Sequence, residues 1–167
     1  MSLAKDRPYY PQPADYEDDT YSWAMEQAQL LRLGRFSELD LPNLIEEIEG
    51  IGLETKRQLS FHYRDLVAAL LEWQALPADR RPALGREILE ARIGILDEER
   101  ESRWLRDNAG RMIQEAYPPA VRLAMAGTGL PRERFPYECP YSLAFLRDLD
   151  AMPMGSFSST ISKDDAA

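Results

Sequence analysis

Residues 40–74, DLPNLIEEIEGIGLETKRQLSFHYRDLVAALLEWQ, carry an uninterrupted helical pattern, and a chain containing it has few folds open to it. At 100° per residue, Leu44, Ile48, Ile51, Thr55, Leu59, His62, Leu66, Leu70 and Trp73 fall on one face. The phase survives Gly50 and Gly52, so the pattern predicts one long amphipathic helix that must lay its stripe against other helices. Valine, the residue a sheet would favour, occurs only at Val67 and Val121, which argues against any sizeable sheet.

At 167 residues, with 44% hydrophobic content, the chain is long enough to bury a core without staples. The net charge of −9 and pI near 4.7 give a surface that repels phosphate backbones, so nucleic acid is disfavoured as a partner. Such a surface suits a basic protein, a cation, or solubility alone. Cys139 is the single cysteine, which rules out a disulfide framework and zinc-knuckle spacing. The N-terminus lacks an apolar core of signal-peptide length, and the longest apolar run, Leu66 to Leu71, is too short to span a bilayer. The expectation is a cytoplasmic protein with no membrane segment.

Along the chain, Pro8, Pro11 and Pro13 mark residues 1–15 as an extended arm. Asp19 or Thr20 caps a helix running to about Leu33, stopped by Gly34, with a stripe of Ala24, Ala28 and Leu31 and with Tyr21, Trp23 and Leu30 alongside. Asp40 caps the long helix. A proline-bracketed loop from Leu76 to Pro82 precedes a helix at about 83–100. That helix has two apolar lines, Leu84, Ile88, Ala91 and Ile95 against Leu89, Ile93 and Leu96, which predicts a helix sandwiched between neighbours. Ser102 caps a fourth helix with Leu105, Ala109, Met112, Ala116, Ala120 and Leu123 on one face. Pro118 and Pro119 are expected to kink or split it. A short helix at about 140–149 and a small, polar tail from Met152 complete the chain. The prediction is an all-α bundle of four main helices plus a short C-terminal one, as a single domain over 16–150 with a flexible tail at 151–167.

Chemistry-bearing residues are sparse. Glu46 and Glu49, at i and i+3, have a spacing that can converge on Mg²⁺, and Glu87 and Glu90 repeat it. Brought together, the four would suit a magnesium-dependent hydrolase of nucleotides or phosphate esters. A solvated acidic face near a helix N-terminus explains the first pair equally well. His62 lies inside the apolar stripe with no nucleophile beside it in sequence, and is expected to be packed core with a hydrogen-bonded nitrogen. Cys139 belongs either at the N-terminus of the last helix, where the dipole activates a thiol, or in a buried proline-fixed turn. Gly50-Ile51-Gly52 is no phosphate loop, because it lacks the third glycine and follows no strand. The aromatics Tyr21, Trp23, Phe36, Tyr63, Trp73, Trp104 and Tyr117 are expected to be mostly core.

Three segments together, YEDDTYSWAMEQAQLLRLGRFSELDLPNLIEEIEGIG (16–52), LLEWQ (70–74) and TGLPRERFPYECPYSLAFLRD (127–148), resemble the bacterial domain of unknown function 29 family. The resemblance covers about 16–150. It implies a small all-α protein and supplies no catalytic residues. Members commonly carry a histidine and a lysine around the segment here written Ala69 to Trp73, where this chain has Ala69 and Glu72. A catalytic role for that histidine would therefore leave this chain inactive, so an enzyme is disfavoured. The leading expectation is a non-catalytic acidic interaction module, self-associating or binding a basic partner in an antitoxin-like or regulatory way. The magnesium hydrolase is the alternative.

Overall fold

A computed structural model describes residues 7–76, 82–154 and 157 of the chain. Among them there are helices and turns but no strand, so the all-α bundle predicted from the valine-poor, leucine-rich pattern holds. The helices are α1 (Thr20–Arg32), α2 (Leu41–Ala75), α3 (Pro82–Glu101), α4 (Arg103–Asp107), α5 (Ala109–Thr128) and α6 (Leu143–Arg147). The chain divides into two compact units, Met1–Glu54 and Thr55–Ala167. None of these helices is long and apolar enough to cross a membrane.

The first unit is organised by Asp40. Asp19 opens α1 by accepting a hydrogen bond from the Ser22 N–H at 2.9 Å, and Gly34, at φ +66°, turns the chain out of it. The face α1 buries is Trp23, Gln27 and Leu30, one residue out of phase with the expected Ala24, Ala28 and Leu31; Leu31 is exposed. The reason is polar. The Trp23 indole N–H donates to Asp40 Oδ2 at 3.1 Å, while Gln27 Oε1 accepts the Asp40 backbone N–H at 2.9 Å. Asp40 Oδ1 meanwhile accepts from the Asn43 N–H at 3.5 Å, so one carboxylate caps α2 and anchors α1. The arm is tied down by the Tyr9 N–H on Glu38 and the Ala14 N–H on Glu26, both at 2.8 Å.

The second unit holds the core. Leu59, Tyr63, Leu66, Val67, Leu70 and Leu71 of α2 are fully buried against Ile88 and Ile95 of α3, with Met112 and Ala120 of α5 in the same cluster. Burial is therefore confined to one half of the long stripe, since Ile48 and Ile51, in phase with Leu59, are 65% and 70% exposed. On α3 only one of the two apolar lines is covered. Leu89 and Ile93 remain exposed, so that helix is packed on one side rather than sandwiched. Tyr21, Phe36 and Trp104, expected as core, are exposed as well.

Ser102 caps α4 as predicted, through its Oγ and the Leu105 N–H at 3.3 Å. The break then falls at Asn108, and α5 runs on through Pro118 and Pro119. The carbonyls those prolines leave without intrahelical donors belong to Gln114 and Glu115, both exposed residues. Beyond the prolines the buried positions are Ala120, Val121 and Ala124, and Leu123 turns outward. Gly129, at φ +71°, ends the helix. The loop expected after Leu76 and most of the tail lie outside the described residues, but Met152 and Phe157 pack against the core.

One buried and one partly buried arginine fasten α6. Arg92, fully buried on α3, donates to the carbonyls of Phe145 at 3.3 Å and Leu149 at 3.4 Å. Arg147 pairs with Glu99, which is only 3% exposed. Its Nη2 donates to Glu99 Oε1 at 2.9 Å and to the Arg106 carbonyl at 3.0 Å. Nε stands 2.8 Å from Oε2 but is not aligned to donate, so that contact is an ion pair only. The Tyr63 hydroxyl donates to the same carboxylate, joining α2 to the network.

Removing one partner from a buried pair costs more than removing a neutral donor. Glu99→Ala, which strands Arg147, is expected to lower stability by about 3 kcal/mol. Tyr63→Phe, which leaves the ion pair intact, should lower it by about 1 kcal/mol. Urea unfolding of the three proteins checks the order. Alkaline pH is a second probe. Burial pushes the Tyr117 phenol up to about 12, and those of Tyr63 and Tyr141 rise further for the same reason. A folded-state pKa above the ordinary 10 makes the protonated phenol a stabilising form, complete below pH 10 and lost as pH climbs through 12. Melting temperature should therefore fall across that window, together with a late phase of tyrosinate absorbance.

Candidate functional site

A cleft of about 460 Å³ opens in the second unit along α2, α3 and α5. The α2 residues His62, Asp65, Ala68, Ala69 and Glu72 recur at helical spacing on its wall; Glu87, Glu90 and Ala91 of α3 and Leu123 of α5 complete it. Alanines keep the floor shallow. Two glycines make room for the polar side chains. The Nδ1–Cε1–Nε2 edge of His62 sits against Gly94 on α3, where a Cβ would stand 2.5–2.7 Å from the ring. The Glu72 carboxylate likewise occupies the space a Cβ on Gly127 would need.

The lining is four carboxylates and one imidazole. Asp65 is paired with Arg64 at 2.8 Å and Glu90 with Arg86 at 3.7 Å, but these are solvent-facing pairs of small worth. The cleft can therefore attract positive charge. Among the described residues no serine, threonine or cysteine lines it, so these present no hydroxyl or thiol for His62 to activate.

The predicted site residues are distributed as follows. Glu87 and Glu90 line this cleft, exposed on α3, while Glu46 and Glu49 are exposed on the part of α2 in the first unit. Among the described residues, no three histidine, cysteine or acidic side chains are grouped so as to hold a metal ion. Between the two glutamates, Glu47 accepts the Tyr16 hydroxyl at 2.5 Å, and that bond raises the phenol's pKa to about 12. His62 is packed, as expected from the stripe, but among the described residues its ring has no hydrogen-bond partner. Cys139 precedes α6 without belonging to it; its thiol donates weakly to the Tyr141 carbonyl at 3.8 Å, and burial raises its pKa. That is the inert, turn-bound cysteine, beside a separate pocket bordered by Tyr117 and Arg132.

Sequence reasoning missed Asp65, Glu72, Gly94 and Gly127. One signal for the place existed, because Ala69 and Glu72, where the family resemblance leads one to expect histidine and lysine, both line the cleft.

A different kind of surface lies on the first unit. Leu41, Ile45, Ile48 and Ile51 of α2 are 53–70% exposed and lie within one face of the helix. Residues 16–150 match the family described as Domain of unknown function DUF29, and the chain belongs to that family. No curated protein and no solved structure matches it.

The contact between His62 and Gly94 yields a sign test. Alanine is worth up to about 1 kcal/mol more than glycine within a helix, unless its Cβ collides. Gly94→Ala should destabilise the natural chain by displacing the ring, yet stabilise a His62→Ala variant by roughly 0.5–1 kcal/mol. A double-mutant cycle in urea measures it; the same sign in both backgrounds would contradict the packing described.

Proposed function

We propose that this DUF29 member is a non-catalytic interaction module that docks a protein on its first unit, in a cytoplasmic setting suited to its single thiol and acidic surface. One observation carries the reading. Among its described residues the first unit buries only Trp23 and Leu30 of the large apolar side chains, and leaves Tyr21, Met25, Phe36, Ile45, Ile48, Ile51 and Leu53 about half exposed or more. Scattered exposed apolar residues are ordinary, but a run of them along one helix face is a characteristic of a surface that another protein covers. Most lie between residues 41 and 53, where backbone hydrogen bonding within α2 presents them on a rigid rod.

The alternative, a magnesium-dependent hydrolase built on Glu46, Glu49, Glu87 and Glu90, draws no support from the arrangement of the described acidic residues. The acidic cleft around His62 supports attraction of cations, and among the described residues no hydroxyl or thiol nucleophile lines it.

A photo-crosslinking residue placed at Ile48, in cells of the native host, tests the proposal. Arg103, whose side chain is 85% exposed in the second unit, is the control position. A discrete protein adduct several-fold stronger from position 48 than from 103 is the expected result. No adduct from 48, or equal labelling from both, would overturn it.

A further inference from the structure

The exposed face of α2 has enough detail to specify what covers it. Leu41, Ile45, Ile48 and Gly52 follow one another at intervals of four, three and four residues, the spacing of a two-helix seam. Leu44, half-buried, and Ile51, 70% exposed, widen the seam on one side. The three isoleucines are stiff at χ1, so ordering them against a partner costs little entropy.

Charge borders this seam on both margins. Glu49 stands along one edge; Glu47 and Glu54 stand beyond Leu44 and Ile51 on the other. From Leu41 to Thr55 the helix holds four carboxylates, those of Glu46, Glu47, Glu49 and Glu54, and no basic residue. A second copy of this surface would bring like charges together.

The glycines supply an independent argument. Gly50 and Gly52 both sit inside α2, where glycine is a poor helix former, and a Cβ on either would meet nothing within 4 Å. Packing among the described residues therefore requires neither. Gly52 lies in the seam, in line with Ile45 and Ile48, whereas Gly50 lies on the opposite side of the helix. A bare position in the seam lets a second backbone approach closely.

We infer that residues 41–54 of α2 form a docking seam for a basic amphipathic helix of another protein, its apolar ridge seated on Ile45, Ile48 and Gly52 and its lysines or arginines against Glu47 and Glu49. This rests on the reading of the first unit as a docking module and names the partner's chemistry. Helix-on-helix docking of this kind is read through apolar anchors every three or four residues, with flanking charges choosing the partner.

The test uses the full chain and two synthetic helical peptides that share a leucine ridge, one with lysines on both margins and one with glutamates. Fluorescence anisotropy is expected to show binding of the lysine peptide alone, weakening several-fold as added salt screens the charges. Ile48→Asp, at an exposed position that the fold does not need, should abolish it. Gly50→Ala and Gly52→Ala should both raise the melting temperature, but only Gly52→Ala should weaken the peptide, by about tenfold or more, through the lost close approach. Equal binding of both peptides, no binding of the lysine peptide, or equal effects of the two glycine substitutions would each overturn the inference. A dimer in sedimentation equilibrium that Ile48→Asp dissolves would do the same by naming a second copy as the occupant. Crosslinks from position 48 to a partner without a basic helix would overturn the seam's chemistry yet leave the docking module standing. Absence of any crosslink would remove both.

Discussion

A carboxylate that is 3% exposed on α3 sets the arrangement of the second unit. Taken from water, Glu99 must be compensated in full, and Tyr63, Arg147 and the main chain beside Arg106 supply what it and its partner need. The three side chains come from α2, α3 and α6, so one charge determines where two otherwise apolar helices meet a short third one. A five-residue helix such as α6 has no stability of its own. It is held because Arg147 and Arg92 clasp it from opposite kinds of bond, one to a carboxylate and one to open carbonyls.

The two units differ in how they use apolar surface. The second buries a large apolar cluster around α2 residues Leu59 to Leu71, while Leu89, Ile93, Trp104 and Leu123 stay exposed. The first is organised by polar bonds to Asp40, with Trp23 and Leu30 as the only buried large apolar residues among those described. Polar anchoring positions α1 accurately without consuming the isoleucines of α2. Those isoleucines are thus left for something outside the chain, and this links the local structure to the proposed function.

The cleft shows how small residues create a site. Alanine at 68, 69 and 91 keeps its walls low, and glycine at 94 and 127 admits an imidazole and a carboxylate that a methyl group would exclude. The carboxylates around it give it a sign. That sign favours positively charged ligands.

Much of the plan was legible from residues alone. The helical class, the caps at Asp19, Asp40 and Ser102, and the stops at Gly34 and Gly129 follow from local rules: periodicity, side-chain capping and the freedom of glycine to take positive φ. Local rules could not tell which parts of a stripe are covered. Ile48 and Leu59 share a phase, and only the packing of α3 and α5 around one of them distinguishes core from surface. The same limit misplaced the buried face of α1, which a pair of long-range bonds to Asp40 rotated by one residue. It also made Pro118 and Pro119 look like breaks, although α5 continues through them with the preceding residues Gln114 and Glu115 exposed. The cleft depends on His62 meeting Gly94 and Glu72 meeting Gly127, pairs far apart in sequence whose fit is steric. The sequence by itself therefore determined which segments are helical and several of the caps that open and close them, because those depend on neighbours within a few residues. Tertiary structure decided which faces are buried, which carboxylates share a cleft and which isoleucines remain for a partner, because those depend on groups that only the folded chain brings together.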